Sequence, residues 1–241
     1  MATLNGKVVL CGGTPFYGAL IDTWSFDGSN WALLNNTNPP SNRYSAVMAP
    51  LGDVLVFFGG AGGGNLYADT WTFDGSSWVQ LSPTGTIPAK RYMATMAPAG
   101  ADLVLFSGDA IPNDLPGTFL FNGTSWSSFA PSGPPPARHN AAMATLGTRV
   151  VLFGGDVAGV PQNDTWIYDG TKWTQSTATG GPTPRTYAAM ASLGNKVVLF
   201  GGEDASSESL DDTWLFDGST WTQVSVTGPS ARYAAAMSYL P

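Results

Sequence analysis

The chain has 241 residues, 43% hydrophobic and only 11% charged, with a net charge of −7. Its ten cationic side chains form no cluster, which removes the electrostatic footprint of a nucleic-acid binder, and no apolar run reaches the roughly 18–20 residues of a membrane-spanning helix. The single Cys11 excludes an intramolecular disulfide and a cysteine-based zinc site, while 30 Gly and 18 Pro point to short strands joined by turns.

The first apolar run, KVVLCGG (7–13), is short, rich in valine and closed by glycines, which predicts a strand buried on both faces. A loop, TPFYGALI (14–21), leads to DTWSF (22–26), a second strand. Asp27-Gly28 follows, a hairpin signal because glycine accepts a positive φ, and a third strand begins at Trp31. The polar stretch NNTNPPSN (35–42) then gives way to RYSAVMA (43–49), an arginine opening an alanine-rich strand.

From here the order repeats. Apolar runs ending in glycine recur as DVLVFFGG (53–60), DLVLFSG (102–108), RVVLFGG (149–155) and KVVLFGG (196–202). The hairpin returns as DTWTFDGSSW (69–78), GTFLFNGTSW (117–126), DTWIYDGTKW (164–173) and DTWLFDGSTW (212–221). The alanine-rich run returns as RYMATMA (91–97), RHNAAMA (138–144), RTYAAMA (185–191) and RYAAAMS (232–238). Marked by Gly13, Gly60, Gly108, Gly155 and Gly202, the period is 47 or 48 residues. Each unit is read as four strands: A, the alanine-rich run; B, the glycine-ended run; C, DTWxF; and D, from the second tryptophan. One such sheet cannot bury both faces alone, so the units pack radially as a β-propeller with a tryptophan filling each gap between neighbours.

The pattern PxxR…AxM…VVLFGG…DTWxFDG…W resembles the kelch repeat, and most of all the form found in the central domain of galactose oxidase. The resemblance spans essentially the whole chain. It implies an all-β propeller of four-stranded antiparallel blades, and the count of units makes it five-bladed, fewer than the six or seven more usual for kelch repeats, in a single domain over residues 1–241. It also implies a ring closed by the C-terminal strand A, RYAAAMSYL (232–240), joining the N-terminal strands B–D. Met1–Leu4 and Met237–Leu240 both match the end of that strand, and one slot cannot take both. Closure within one chain implies a monomer.

Strand direction alternates, so the short, uniform A–B and C–D turns share one face and the varied B–C and D–A loops share the other. Variable loops on a rigid scaffold are where binding concentrates, and the kelch resemblance also places partners there. The expected function is a non-catalytic binding scaffold for a peptide, glycan or other small ligand. The alternatives are a propeller trimmed or recombined from a longer array, and a kelch-type enzyme such as a sugar epimerase or hydrolase. The galactose oxidase chemistry does not carry over: its copper site needs two histidines and its thioether a Cys–Tyr link. Here His139 is the only histidine and Cys11 replaces a core phenylalanine, so neither metal nor cofactor is expected. The acid-rich EDASSESLDD (203–212) reads as a solvated loop.

Five arginines, Arg43, Arg91, Arg138, Arg185 and Arg232, open strand A. They form either a ring of donors for a carboxylate or phosphate at the channel mouth, or an internal set of ion pairs. Candidate partners for the pairs are Asp109, Asp156 and Glu203 after the glycines, or Asp22, Asp69, Asp164 and Asp212 at the start of strand C. Arg43 and Arg232 lack a post-glycine acid and are expected to be the spare donors. Two residues into strand A the units diverge, at Ser45, Met93, Asn140, Tyr187 and Ala234, a ring expected to line the channel entrance. His139 beside it, and Tyr17 and Tyr67 in the B–C loops, complete the candidate binding residues.

Overall fold

The computed structural model describes residues 1–14, 18–111, 113–225 and 227–239. It is all-β, with no helix among the described residues and five four-stranded antiparallel blades in a ring. The first blade comprises Ala2–Leu4, Lys7–Gly13, Leu20–Phe26 and Trp31–Leu33. The second comprises Val47–Leu51, Val54–Phe58, Thr70–Phe73 and Trp78–Gln80. The third has Thr95–Ala99, Asp102–Phe106, Thr118–Phe121 and Ser125–Phe129, with Thr84–Gly85 added as a short parallel outer strand. The fourth has Ala142–Leu146, Arg149–Phe153, Thr165–Tyr168 and Trp173–Gln175, and the fifth Ala189–Leu193, Lys196–Phe200, Thr213–Phe216 and Trp221–Val224.

The motif residues have distinct tasks in this frame. In the C–D turn of the second blade, Asp74 Oδ1 accepts hydrogen bonds from the Ser76 and Ser77 N–H groups, each 2.8 Å long. Those bonds hold its carboxyl at a pKa of about 2 and fix the turn whose Gly75 sits at φ +102°. The paired glycines ending strand B answer to crowding. A Cβ on Gly59 would stand 2.6 Å from the Arg91 carbonyl oxygen, and that same oxygen accepts the Gly60 N–H at 2.9 Å. Each glycine pair thus docks against the arginine that opens the next unit.

In the second to fifth blades the tryptophan of strand D is the plug between two blades, whereas Trp31 of the first blade is exposed. Trp78, Trp126, Trp173 and Trp221 are 1–5% exposed, stacked or tilted against the aromatic that ends strand C of their own blade. Their indole N–H groups reach back to the preceding blade, donating to the Oγ1 of Thr23, Thr70, Thr118 and Thr165 at 2.9–3.3 Å. This explains the threonine of DTW: it satisfies the one polar atom of a buried indole. The four buried clusters follow the same plan, each built from strands of two adjacent blades, from the first and second through to the fourth and fifth.

The joint between the fifth and first blades is different. The C-terminal segment does lie at this joint, as the sequence implies, with Ser238 Oγ 2.8 Å from Thr3 Oγ1. However, the strand paired with Lys7–Val9 is Ala2–Leu4, so the N-terminal match takes the contested slot. Residues 227–239 are placed in no strand. The short Ala2–Leu4 strand needs only a three-residue register and a two-residue turn at Asn5-Gly6, a local closure that costs less chain entropy than a pairing across the whole chain.

Candidate functional site

The strand-A arginines lie under the channel mouth, and three of them are clamps. Arg43, Arg138 and Arg185 are each about 1% exposed. Arg138 donates from Nη1 and Nη2 to the two carboxylate oxygens of Asp164 at 2.6 and 2.9 Å, from Nη1 to the Gly154 carbonyl at 2.9 Å, and from Nε to the Pro136 carbonyl at 3.2 Å. Arg43 with Asp69 and Arg185 with Asp212 repeat this geometry. The strand-C aspartate is therefore the partner, and the post-glycine acid is not. Burial alone would raise these carboxyls, but hydrogen bonds from the arginine and from the nearby tryptophan outweigh it, leaving Asp69, Asp164 and Asp212 below the ordinary carboxylate range.

The expected spare donors change accordingly. Arg43 is engaged with Asp69 and also lies over the Tyr67 ring, 3.9 Å from its centroid. Among the described residues, the strand-A arginines without a carboxylate are Arg91 and Arg232. Arg91 is 2% exposed, its Nη1 donates to the Ser107 carbonyl at 2.7 Å, and burial lowers its pKa to about 10. Arg232 is exposed, and its guanidinium group donates to the Ser230 carbonyl and hydroxyl. Tyr17 lies outside the described residues.

The non-repeating ring does come together. Ser45, Met93, Asn140, Tyr187 and Ala234 line one axial cavity with the alanines that follow them. All five occupy the left-handed region, with φ between 52° and 55°, which non-glycine residues seldom enter. Hydrogen bonds hold them there: the N–H of Met93, Asn140, Tyr187 and Ala234 each donates to the carbonyl of the preceding ring member, at 3.0–3.1 Å. The backbone of the mouth is one repeated conformation and its side chains are not. The repeat pattern shows that divergence, but no glycine marks the positive φ.

Beside the ring, two B–C loops meet around His139. Its Nδ1 is 2.6 Å from Asp114 Oδ1, and Asp156 stands across the same cavity as Asp109 and Asn113. Backbone bonds in both directions tie His139 to Asp156. One donor atom each from Asp114, His139 and Asp156 lies within 4.8 Å of the others, so these three residues could supply one nitrogen and two oxygen ligands to a divalent ion. Asp109, grouped in the sequence with candidate arginine partners, instead accepts the Tyr92 hydroxyl at 3.0 Å. The sequence offers no signal that Asp114, one acid in a proline-rich loop, faces the histidine of the next unit.

Residues 74–240 match the sequence model of the KLHDC2/KLHL20/DRC7 Kelch-repeats domain. The chain matches no curated protein. The galactose oxidase-like form of the repeat is compatible with the match, which covers more than half of the chain and coincides with the observed blades. The chain belongs to the Kelch-repeat family, and its fold is that family's β-propeller.

Proposed function

We propose that this propeller is a non-catalytic interaction scaffold that receives a protein or peptide partner on its B–C/D–A loop face, over the axial cavity. Kelch propellers typically serve as protein-interaction scaffolds. The observation that carries the placement is the ring of Ser45, Met93, Asn140, Tyr187 and Ala234, five dissimilar side chains on one repeated backbone. Variation confined to side chains, on a backbone locked by its own hydrogen bonds, is what a recognition surface requires.

The chemistry of the face narrows the partner. Asp109, Asp114, Asp156, Glu203, Asp204 and Glu208 stand on the B–C loops, while three of the arginines beneath are neutralised by their own aspartates. The surface therefore suits a segment bearing lysine or arginine rather than an anion, and the aromatic pair Tyr187–Tyr233, with ring centroids 5.8 Å apart, offers it a stacking platform. Peptide display against the immobilised protein tests this reading. Selected peptides are expected to be basic, and Tyr187→Ala with Asn140→Ala is expected to weaken them about ten-fold or more. Peptides that tolerate both changes but respond to Lys196→Ala, on the opposite face, would overturn it.

A further inference from the structure

A residue that recurs in every unit is explained by the unit. Two residues that do not recur meet where the third blade joins the fourth. His139 follows the strand-A arginine, where the other units carry Tyr44, Tyr92, Thr186 and Tyr233. Asp114 bridges Asp109 within its own B–C loop, in the place that Leu66, Pro161 and Ser209 take beside Ala61, Asp156 and Glu203. His139 Nδ1 lies 2.6 Å from Asp114 Oδ1. Asp156 completes a set whose ligand atoms all stand within 4.8 Å of one another, and the three residues open onto one cavity of about 410 Å³.

Backbone bonds position all three. Leu115 N–H donates to the Gly108 carbonyl at 2.7 Å and Ala110 N–H to the Asn113 carbonyl at 3.2 Å, which holds the loop that carries Asp114. His139 N–H donates to the Asp156 carbonyl at 3.2 Å, and Asp156 N–H returns to the His139 carbonyl at 2.9 Å. Asp156 also opens a tight hairpin in which Val157 faces Val160, and its Oδ1 accepts the Gly159 N–H at 2.6 Å. Asp109 is engaged elsewhere: Oδ1 accepts the Ile111 N–H at 2.7 Å and Oδ2 the Tyr92 hydroxyl at 3.0 Å. Arg138, one residue before His139, is spent on Asp164. Among the described residues, no lysine or arginine forms an ion pair with Asp114 or Asp156.

We propose that Asp114, His139 and Asp156 bind a divalent transition-metal ion of the zinc type. The donor set selects the ion: an imidazole nitrogen favours zinc over calcium or magnesium, and two carboxylates balance its charge. Zinc holds such donors at about 2.0–2.2 Å, which sets the ligands of a four-coordinate ion roughly 3–3.5 Å apart. The Asp114–His139 contact then opens by less than about 1 Å, as the ion replaces the hydrogen bond between them. Three protein ligands leave a position on such an ion for water. Bound there, the ion ties the B–C loops of the third and fourth blades to each other. A copper set of the galactose oxidase kind needs two histidines, whereas here one histidine suffices because two loops bring carboxylates to it. The site goes beyond the loop-face reading, which needs no metal.

Tag-free protein, stripped with a chelator and titrated with zinc chloride, tests the proposal. The chain holds a single histidine, so its imidazole nitrogens give one set of NMR signals. Those signals are expected to move and to saturate at one zinc per chain, with a Kd of about 10 μM or tighter by calorimetry. His139→Ala and Asp156→Asn are each expected to weaken binding about ten-fold or more. Asp53→Asn, on an A–B turn of the opposite face, is expected to leave it unchanged. Zinc at about a hundred times its Kd is expected to raise the melting midpoint of the native chain by about 5 °C or more, and to leave that of His139→Ala where it was. Imidazole signals unmoved up to about 1 mM zinc overturn the proposal and leave a plain His–Asp hydrogen bond. Equal binding by His139→Ala, or displacement of zinc by equimolar calcium, also overturns it. Peptide display in metal-free buffer reads the partner face alone, so the two readings fail separately.

Discussion

The third and fourth blades solve the same joint in two ways. In the fourth, Arg138 grips both oxygens of Asp164, and Trp166 Nε1–H donates to the same carboxylate at 2.6 Å. In the third, Gly117 stands where the aspartate belongs and Phe119 where the tryptophan does. A Cβ on Gly117 would stand 2.9 Å from the Phe119 ring, and the Arg91 guanidinium lies over that ring at 4.9 Å from its centroid. The ring has moved into the carboxylate's place and offers its π face instead of a charge. The two replacements need each other: without the aspartate an indole N–H loses its acceptor, and with a Cβ at 117 the ring has no room. A buried ion pair is therefore one route to a firm joint, in keeping with the small net worth of such pairs against well-packed alternatives.

Removing one partner tests the difference most directly. Arg138→Ala leaves the partly buried Asp164 without its cation and is expected to cost about 2–4 kcal/mol in urea denaturation, whereas Arg91→Ala strands no charge and is expected to cost less. Next in size is conversion of the third joint. Gly117→Asp alone forces a side chain into the Phe119 ring at a backbone φ of +122° and is expected to destabilise by about 1–3 kcal/mol. Adding Phe119→Trp is expected to recover about half of that or more through the coupling of neighbouring sites. A failure of the double variant to recover would show that the stack, rather than the missing clamp, sets the strength of this joint.

Acid titration sharpens the same contrast. Asp69, Asp164 and Asp212 have lowered pKa values in the folded chain, so their contribution is full above the unfolded value near 3.8. It is lost as pH falls from there through the folded values, because the unfolded state then binds protons that the folded state resists. Stability is expected to drop below about pH 4, with a shallower drop in Asp164→Asn, as followed by thermal melting across pH. The smallest effect belongs to the joint between the fifth and first blades: Asp22→Asn touches an exposed carboxylate that accepts the Trp24 indole N–H and is expected to change stability by less than about 0.5 kcal/mol.

The parts legible in the sequence are those fixed by a residue's own chemistry. Asp-Gly announced every C–D turn except the third, where Asn122-Gly123 does the same work. The glycine pairs and tryptophans likewise gave the blades, because a close approach and a large buried indole leave little choice of residue. The arginine partners were harder to read. Post-glycine and strand-C acids are both near in a strand diagram, and only the direction of the guanidinium, set by bonds such as Arg138 Nη1 to the Gly154 carbonyl, selects Asp164. The His139–Asp114 contact joins two loops whose shapes are encoded separately, so neither loop's sequence reports it. The seam was ambiguous for another reason: Met1–Leu4 and Met237–Leu240 are chemically equivalent for one slot, and pattern alone cannot rank equals.

The left-handed ring at the channel mouth has a bearing on how such a chain diversifies. At Met93, Asn140 and Tyr187 an unusual backbone is imposed by neighbours, through main-chain bonds that ignore the side chain. A thioether, an amide and a phenol are held in one conformation at the same radius. Those positions are interchangeable addresses: a lineage can rewrite what the mouth displays, one letter at a time, without reopening the question of how the chain folds.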